Sequence, residues 1–334
     1  MTRIPSSPAP AGPCAVPAPA GPRAVPAPAD PLVGGAALDA LPVLAGFSFP
    51  VAVVASELDA DGRTRTLIEA GEVDEIFPFA SVTKPIVAWS ALVAVERGLL
   101  DLEAPAQPGE ARSMAGSCAV PAPAGSCAVP APALTGATVR HLLAHASGIA
   151  FDSDAVLAVP GTRRIYSNRG IEILGERIEE ATATPLERWI ETTVLEPLGM
   201  SSVLVPGSPA HSGEGSARDL AVFARELAAP RLISADSARE ATSVVFPGLD
   251  GILPGYGRQA PNDFGLGVEV RGRKRPHWTG TTSSPATFGH FGQSGSFIWV
   301  DPEARRQAVF LGARPFGRAH AAHWPELSDQ ILAL

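Results

Sequence analysis

Cysteine is scarce in this chain, which has three in 334 residues. All three lie in copies of one nine-residue repeat, at Cys14, Cys118 and Cys127, so the remaining sequence has none. This distribution excludes internal disulfides and a cysteine nucleophile from the body of the chain outside the repeats.

Long apolar runs are also lacking, and no stretch is long and uninterrupted enough to span a membrane. The N-terminal residues 1–4 lead into alternating proline and alanine, without the apolar core that a secretion signal has. From these two features we expect a cytoplasmic protein that has no membrane partner.

An excess of positive charge is missing too. The chain has 26 lysines and arginines against 34 acidic residues, a formal net charge of −8 and a pI of about 5.4. Because no basic field would attract phosphates, we expect no nucleic-acid partner. The short basic run from Arg271 to Arg275 is interpreted as a solvated loop.

Several catalytic motifs are absent. An α/β-hydrolase needs a G-x-S-x-G turn, and the nearest candidate, residues 292–296, ends in serine. His141 and His145 have the spacing of a zinc site, but Leu142 replaces the glutamate of H-E-x-x-H. These two histidines are therefore predicted to be a packed or capping pair.

The sequence gives no other indication of a bound group. His320 and His323 have no partner carboxylate pattern and are predicted to lie on the surface, and the glycine patterns that cradle phosphates are absent. No cofactor and no metal ion are predicted.

A nine-residue repeat is the most unusual feature that is present. Its four copies are residues 11–19, 20–28, 115–123 and 124–132. Alternating proline predicts extended, poorly packed spacers. We therefore expect a disordered tail over 1–35 and a low-complexity insertion at 104–134 in an enzyme domain that spans 36–334. Deleting 1–30 or shortening 106–133 is expected to leave activity nearly unchanged.

The segment Ser81-Val82-Thr83-Lys84 is the strongest functional signal. A serine and a lysine three residues apart lie on one face of a helix, where the lysine can help to remove the hydroxyl proton. The following residues, 85–95, are apolar almost all round, which predicts a buried helix. Pro85 belongs in the first turn of that helix, so the helix must begin close to Ser81.

Two later tripeptides raise the significance of this motif. Tyr166-Ser167-Asn168 follows a Pro160-Gly161 turn and precedes a helical pattern, so its side chains can project into a cleft. His290-Phe291-Gly292 lies within residues 288–300, which are typical of two strands joined by a glycine-rich turn. Each tripeptide alone would be interpreted as structural, whereas the three in this order indicate a catalytic site.

The periodicity of the remaining sequence indicates an α+β protein. Strands are predicted at 49–57, 64–71, 288–300 (two strands) and 307–311; helices are predicted at 138–146, 171–181, 185–195, 217–227 and 323–334. The candidate site would lie where the sheet meets the helical region.

From about Ala36 to Leu334 the chain resembles the serine β-lactamase and penicillin-binding protein superfamily, on the branch of class C β-lactamases, D-alanyl-D-alanine carboxypeptidases and esterases. The resemblance also covers residues 77–85, 138–149, 195–200 and 289–302. It implies an antiparallel sheet of about five strands, flanked by N- and C-terminal helices, with an inserted all-helical subdomain.

The resemblance also implies roles for the motif residues. Ser81 would be the acylated nucleophile, and Lys84 would hydrogen-bond it and share its proton. Tyr166 would act as general base and acid, with its phenolate favoured by Lys84. Asn168 would hold the amide or acyl side chain of the substrate.

The same resemblance assigns the His290-Phe291-Gly292 segment to substrate binding. The backbone N–H groups of Ser81 and Gln293 would form an oxyanion hole, next to Gly292. His290 stands where many relatives have lysine, and histidine changes charge in the physiological pH range. A substrate carboxylate would then bind better as the pH falls through the pKa of His290.

These features predict a serine hydrolase that cleaves a small ester or amide through an acyl-enzyme, as an esterase or a D-amino-acid peptidase does. The alternatives are a non-hydrolytic, penicillin-recognising binding or sensor protein of the same fold, and a true class C β-lactamase. Retention of Ser81, Lys84 and Tyr166 favours an enzyme. The expected partner is a small-molecule substrate, and the sequence leaves the oligomeric state open.

Overall fold

A computed structural model describes residues 35–59, 61–107 and 134–334. The four repeat copies and the three cysteines lie outside these residues, so the predictions about the tail and the insertion stay predictions. Among the described residues, no helix is long and apolar enough to cross a membrane.

The described strands form one large antiparallel sheet and two small pairs. Their bounds are β1 (Val51–Leu58), β2 (Thr64–Gly71), β3 (Phe77–Pro78), β4 (Glu214–Gly215), β5 (Gly251–Leu253), β6 (Gly257–Gln259), β7 (Glu269–Val270), β8 (Phe288–Gly292), β9 (Ser296–Asp301) and β10 (Arg306–Gly312). The large sheet has the order β2-β1-β10-β9-β8-β7, and the small pairs are β3-β4 and β5-β6. The predicted α+β architecture is confirmed, with six strands in place of about five.

The helices surround this sheet. Their bounds are α1 (Gly35–Ala40), α2 (Thr83–Glu96), α3 (Val139–Leu143), α4 (Asn168–Thr182), α5 (Leu186–Ile190), α6 (Glu196–Leu198), α7 (Ala217–Ala228), α8 (Ala235–Ala241) and α9 (Arg318–Leu332). Short 3-10 turns cover Pro42–Gly46 and Ala80–Val82, and a π-helical turn, Glu191–Leu195, joins α5 to α6. The helix predicted over 185–195 is therefore interrupted by a change of helix type.

Strand β1 shows why the sheet is covered on both faces. Ala52 and Val54 point into a core that contains α2 and the helical region, whereas Val51 and Val53 point into a second core. That second core includes the α9 residue Trp324. A strand that is buried on both faces has a continuous apolar sequence, and residues 51–55 are all apolar.

His320 corrects a prediction, because it is buried and not on the surface. Helix α9 begins at Arg318, five residues before the predicted start, and this places His320 on the inward face with Trp324 and Leu327. Burial lowers the pKa of His320 to about 4, and its Nδ1 accepts a hydrogen bond from Gly317 N at 3.1 Å. It is a neutral core residue.

The chain on either side of residues 108–133 is joined by backbone hydrogen bonds. Pro105 and Thr138 form an antiparallel bridge. Ala106 N donates to Ala137 O at 2.8 Å, and Val139 N donates to Ala104 O at 3.0 Å. The described residues on either side of this segment are therefore held together by their own backbone hydrogen bonds.

We expect the repeats to be dispensable for catalysis. Replacing residues 108–133 by a brief linker, or deleting residues 1–30, should leave kcat/KM for an ester within about threefold, because the free energy of loop closure changes slowly with length. Steady-state kinetics and a thermal melt of each variant test this. A large fall in kcat/KM or in the melting temperature of either variant would show that the repeats pack on the enzyme domain.

Candidate active site

Ser81 lies in the 3-10 turn that immediately precedes α2. Ala80 adopts a left-handed backbone conformation with φ 45°, which is unusual for a residue other than glycine. Thr83 holds this turn, since its Oγ1 donates to Ala80 O at 2.6 Å and accepts from Gly213 N at 2.9 Å. Strained backbone that the surroundings hold in place is typical of functional sites.

Lys84 is completely buried on the first turn of α2. Its Nζ lies 3.0 Å from Ser81 Oγ, 2.8 Å from Asn168 Oδ1 and 2.8 Å from Ala210 O. Burial lowers the pKa of Lys84 to about 7, although the carboxylates of Asp152 and Glu172 act in the opposite direction. A substantial fraction of this lysine is therefore a neutral amine near neutral pH.

The contacts of Lys84 orient that neutral amine. Asn168 Oδ1 and Ala210 O can only accept hydrogen bonds, so they take the two N–H groups of the amine. The remaining lone pair then faces Ser81 Oγ and can accept its proton. The geometry makes Lys84 competent as a base for Ser81.

Tyr166 lies beside both residues. Lys84 Nζ is 4.7 Å from the centroid of the Tyr166 ring, and the phenol is hydrogen-bonded to Ser81. Burial raises the pKa of Tyr166 well above its usual range, although the hydrogen bond with Ser81 acts in the opposite direction. Burial therefore opposes the phenolate that the resemblance implies, and favours a phenol that can donate a proton.

His145 positions Tyr166, a role that the sequence did not reveal. The two rings are 4.5 Å apart, and Nδ1 of His145 accepts a hydrogen bond from Ser167 N at 3.2 Å. His141 caps α3, because its Nδ1 accepts from Thr138 N at 3.2 Å. The prediction of a packed or capping pair is thus confirmed.

Asn168 begins α4 and connects the lysine to the rim of the site. While its Oδ1 accepts from Lys84, its Nδ2 donates to Asp152 Oδ1 at 3.0 Å. Ser167 fixes this end of the helix, because its Oγ accepts from Gly170 N at 2.8 Å. Asn168 is therefore held in one orientation, with its side-chain amide facing the lysine.

The β8–β9 turn touches the 3-10 turn that contains Ser81. A Cβ on Gly292 would lie 2.3 Å from Phe79 O and 3.1 Å from Ser81 N, so only glycine permits this approach. Ser296, which the sequence analysis did not single out, donates from its Oγ to Phe79 O at 2.7 Å. These contacts bring the peptide between Gly292 and Gln293 close to Ser81.

His290 is buried in the wall of the site. Its Nδ1 donates to Phe291 O at 2.7 Å, and its Nε2 has no hydrogen-bond partner among the described residues. Burial, reinforced by Lys84, lowers the pKa of His290 to about 4. The expectation that His290 changes charge in the physiological range is therefore wrong, because desolvation keeps the imidazole neutral.

A buried ion pair lies behind this wall and corrects the interpretation of residues 271–275 as a solvated loop. Lys274 is buried, and its Nζ donates to Glu269 Oε1 at 2.9 Å and to two backbone carbonyl groups. Nε2 of His277 and Nε1 of Trp278 also contact Glu269, at 3.0 and 2.8 Å. Burial raises the pKa of Glu269, but Lys274 and His277 outweigh this effect and hold that pKa well below its usual range.

A cavity of about 180 Å³ joins these groups. Its lining residues are Ser81, Phe151, Tyr166, Leu253, Pro254, Phe264, Glu269, His290, Phe291 and Gln293. Larger clefts occur among the described residues, including one of about 470 Å³ beside α4, but those of about 250 to 470 Å³ are not lined by Ser81. This smaller cavity is the candidate active site because Ser81, the predicted nucleophile, lines it.

The described residues contain no group of three or more histidine, cysteine or acidic side chains that could hold a metal ion. The titratable groups at the cavity instead form a serine–lysine–tyrosine arrangement. Their hydrogen bonds suit proton transfer and attack by a serine oxygen.

Comparisons with known proteins agree with this arrangement. Residues 60–331 match the Beta-lactamase family. A crystal structure from Mycobacterium bovis, described as a beta-lactamase, is 44% identical, covers 88% of this chain and 98% of its own, and has a TM-score of 0.77.

More distant relatives carry other names. A Salmonella paratyphi B protein, provisionally named a D-alanyl-D-alanine carboxypeptidase, is 29% identical over 201 residues. The match covers 47% of this chain and 46% of that relative. This chain therefore spans about half the length of that relative. The hydrolase EstCE1, described as having promiscuous acyltransferase activity, shares the fold with 17% identity and a TM-score of 0.66, over 89% of this chain and all of its own.

Proposed function

The chain belongs to the Beta-lactamase family, and from that premise we propose that it is a serine hydrolase that cleaves a small ester or amide through a Ser81 acyl-enzyme. The proposal depends above all on one observation. Lys84 Nζ lies 3.0 Å from Ser81 Oγ, while two fixed carbonyl oxygens occupy the other hydrogen-bonding directions of its amine.

In the proposed first step, Ser81 Oγ attacks the substrate carbonyl carbon while its proton passes to Lys84 Nζ. The backbone N–H groups of Ser81 and Gln293 stabilise the oxyanion that forms. Tyr166 then donates its phenolic proton to the leaving-group oxygen or nitrogen, and the Lys84 ammonium returns a proton to Tyr166. The products of this step are the free leaving group and the acyl-enzyme.

Hydrolysis of the acyl-enzyme uses the same groups in reverse. Lys84, neutral again after it has returned its proton to Tyr166, takes a proton from a water molecule, which attacks the acyl carbon. The proton then returns to Ser81 Oγ as the ester bond to the enzyme breaks. Asn168 keeps Lys84 oriented during both steps through its Oδ1 contact.

The charges at the cavity favour neutral substrates, and so an esterase. Glu269 lines the cavity as a carboxylate, whereas its partner Lys274 lies behind it and is not part of the lining. His290 stands where many relatives have a lysine, and it is neutral. A substrate carboxylate would therefore meet one negative and no positive side chain on this wall.

The second candidate function is β-lactam hydrolysis. The 44% identity to the Mycobacterium bovis protein favours it, since that protein is described as a beta-lactamase. Penicillins carry a carboxylate, so the charges of Glu269 and His290 rank them below neutral esters in this proposal.

Intact-mass spectrometry tests the proposal. We would mix the full chain with nitrophenyl esters, D-alanyl peptides and penicillins, and compare the adducts with those on Ser81→Ala. We expect a transient acyl adduct from the esters on the wild type and none on the variant. A stable penicillin adduct without ester turnover would favour a binding protein instead.

A matched pair of esters tests the role of His290. The ratio of KM for a carboxylate ester to KM for its neutral analogue should follow the same pH curve in wild type and His290→Gln between pH 5.5 and 8.5, because His290 stays neutral throughout. In His290→Lys, the carboxylate ester should gain roughly 1 kcal/mol in binding over the neutral one. A pH curve that flattens in His290→Gln would show that the imidazole titrates in this range.

A further inference from the structure

A second cavity of about 260 Å³ lies next to the catalytic one and shares Phe151, Tyr166 and Pro254 with it. Leu157 and Ile252 extend it away from Ser81. We call the region formed by Phe151, Leu157, Tyr166, Ile252 and Pro254 the outer groove. Arg163, Arg164 and Ile165 complete the lining of this cavity. The two cavities adjoin each other at the three residues that they share.

The outer groove exposes large apolar side chains to water. Phe151 is 48% exposed, Leu157 61% and Ile252 54%. Side chains of this size are usually buried, and a cluster of them in one depression is typical of a surface that binds an apolar group. Burying them under a ligand would be favourable through the hydrophobic effect.

The β5–β6 hairpin forms one wall of the groove and holds Ile252 outward. Ile252 pairs with Arg258, and alternation along the strand places Leu253 in the catalytic cavity and Ile252 in the outer groove. Arg164 N also donates to Asp250 O at 2.9 Å, at the start of this hairpin. The wall is therefore fixed to the segment that carries Tyr166.

Phe151 is fixed from the opposite side. Its carbonyl oxygen accepts hydrogen bonds from Asn168 N at 2.9 Å and from Arg169 N at 3.0 Å, at the first turn of α4. Its ring stacks on Tyr166 with a centroid distance of 6.1 Å. Because backbone contacts hold both walls, the groove is formed before a ligand binds.

We propose that the outer groove binds an apolar alcohol portion, the leaving group, of the ester substrate. The inference rests on the proposed function, in which Tyr166 protonates the leaving-group oxygen. The leaving group must therefore lie on the Tyr166 side of the scissile bond, and Tyr166 lines both cavities. The substrate class is an ester of an alkyl or similarly apolar alcohol with a small acyl group.

A series of alkyl acetates tests this assignment. Ethyl, butyl, hexyl and octyl acetate have leaving groups of nearly equal reactivity and form the same acetyl-enzyme. We expect kcat/KM to rise about twofold to fourfold per methylene, which is at least about sixteenfold from ethyl to hexyl acetate. Where deacylation limits turnover, kcat should be the same for all four esters.

Three variants locate the effect. Ile252→Ser and Leu157→Ser should flatten the dependence of kcat/KM on chain length, by lowering kcat/KM for hexyl and octyl acetate more than for ethyl acetate. Leu99→Ser is the matched control, because Leu99 is 46% exposed just beyond the far end of α2, about 20 Å from Ser81 by helix rise. That variant should keep the wild-type dependence on chain length.

The outcomes separate this inference from the proposed function. If the wild type hydrolyses no ester, the proposed function fails. If it hydrolyses the acetates with a flat dependence on chain length, or if the groove variants alter the dependence on acyl length in ethyl esters instead, the leaving-group assignment is wrong. A change in molecular mass of the groove variants by light scattering, with an unchanged ester series, would show that the groove binds a second copy of the chain.

Discussion

Ser81→Ala is expected to lower kcat for a nitrophenyl ester by at least about a thousandfold while leaving the fold intact. The hydroxyl oxygen is the only heavy atom that is removed, and groups that act as one catalytic unit lose almost the whole effect when one member is removed. Lys84 Nζ keeps its contacts with Asn168 Oδ1 and Ala210 O in this variant, so the buried amine retains two partners. The measurement is steady-state turnover together with a thermal melt.

Ser90→Ala is the matched control for this result. Ser90 lies on α2, the helix that follows Ser81, is buried and donates from its Oγ only to Val87 O, at 2.8 Å. The same chemical change at this position should leave turnover close to the wild-type rate. Near wild-type turnover by Ser81→Ala would reject Ser81 as the nucleophile, whatever the control shows.

The parts of the site that follow from local spacing were predictable from the sequence. Ser81 and Lys84 are one helical turn apart, so their contact depends on helix geometry alone. Pro85 limited where that helix could begin, and α2 indeed starts at Thr83. Gly292 likewise indicated a tight turn. The sequence did not show that this turn approaches the backbone of Phe79.

The parts that depend on long-range packing were not predictable. The arginine-rich residues 271–275 are typical of a solvent-exposed loop, and only the fold shows that Lys274 turns inward to pair with Glu269. Burial also decided the charge of His290, since the residue type alone gives a pKa in the physiological range. Strand β7 was missed because two residues are too short to show alternation.

The activity of the wild type should depend on one ionisation with an apparent pKa of about 7. Below this pH Lys84 is an ammonium, which has no lone pair for the proton of Ser81. For a neutral ester, kcat/KM should therefore rise about tenfold per pH unit below pH 7 and level off above it. A profile measured from pH 5 to 9 tests this, and an apparent pKa near 10 would show that burial does not neutralise the lysine.

Lys84→Met should lower kcat by about a thousandfold, and the double variant Ser81→Ala/Lys84→Met should be no slower than Ser81→Ala, because the two residues act as a unit.

The stability of the protein gives an independent test of the charge of Lys84. Between pH 7 and 10.5 the unfolded chain binds a proton at Lys84 that the folded chain lacks. The free energy of unfolding of the wild type, relative to Lys84→Met, should therefore rise with pH by about 1.4 kcal/mol per unit over this range and stay constant below it. Denaturant melts at pH 6, 7.5 and 9 measure this difference. A difference independent of pH would mean that Lys84 stays charged in the folded protein, and another group would then have to accept the proton of Ser81.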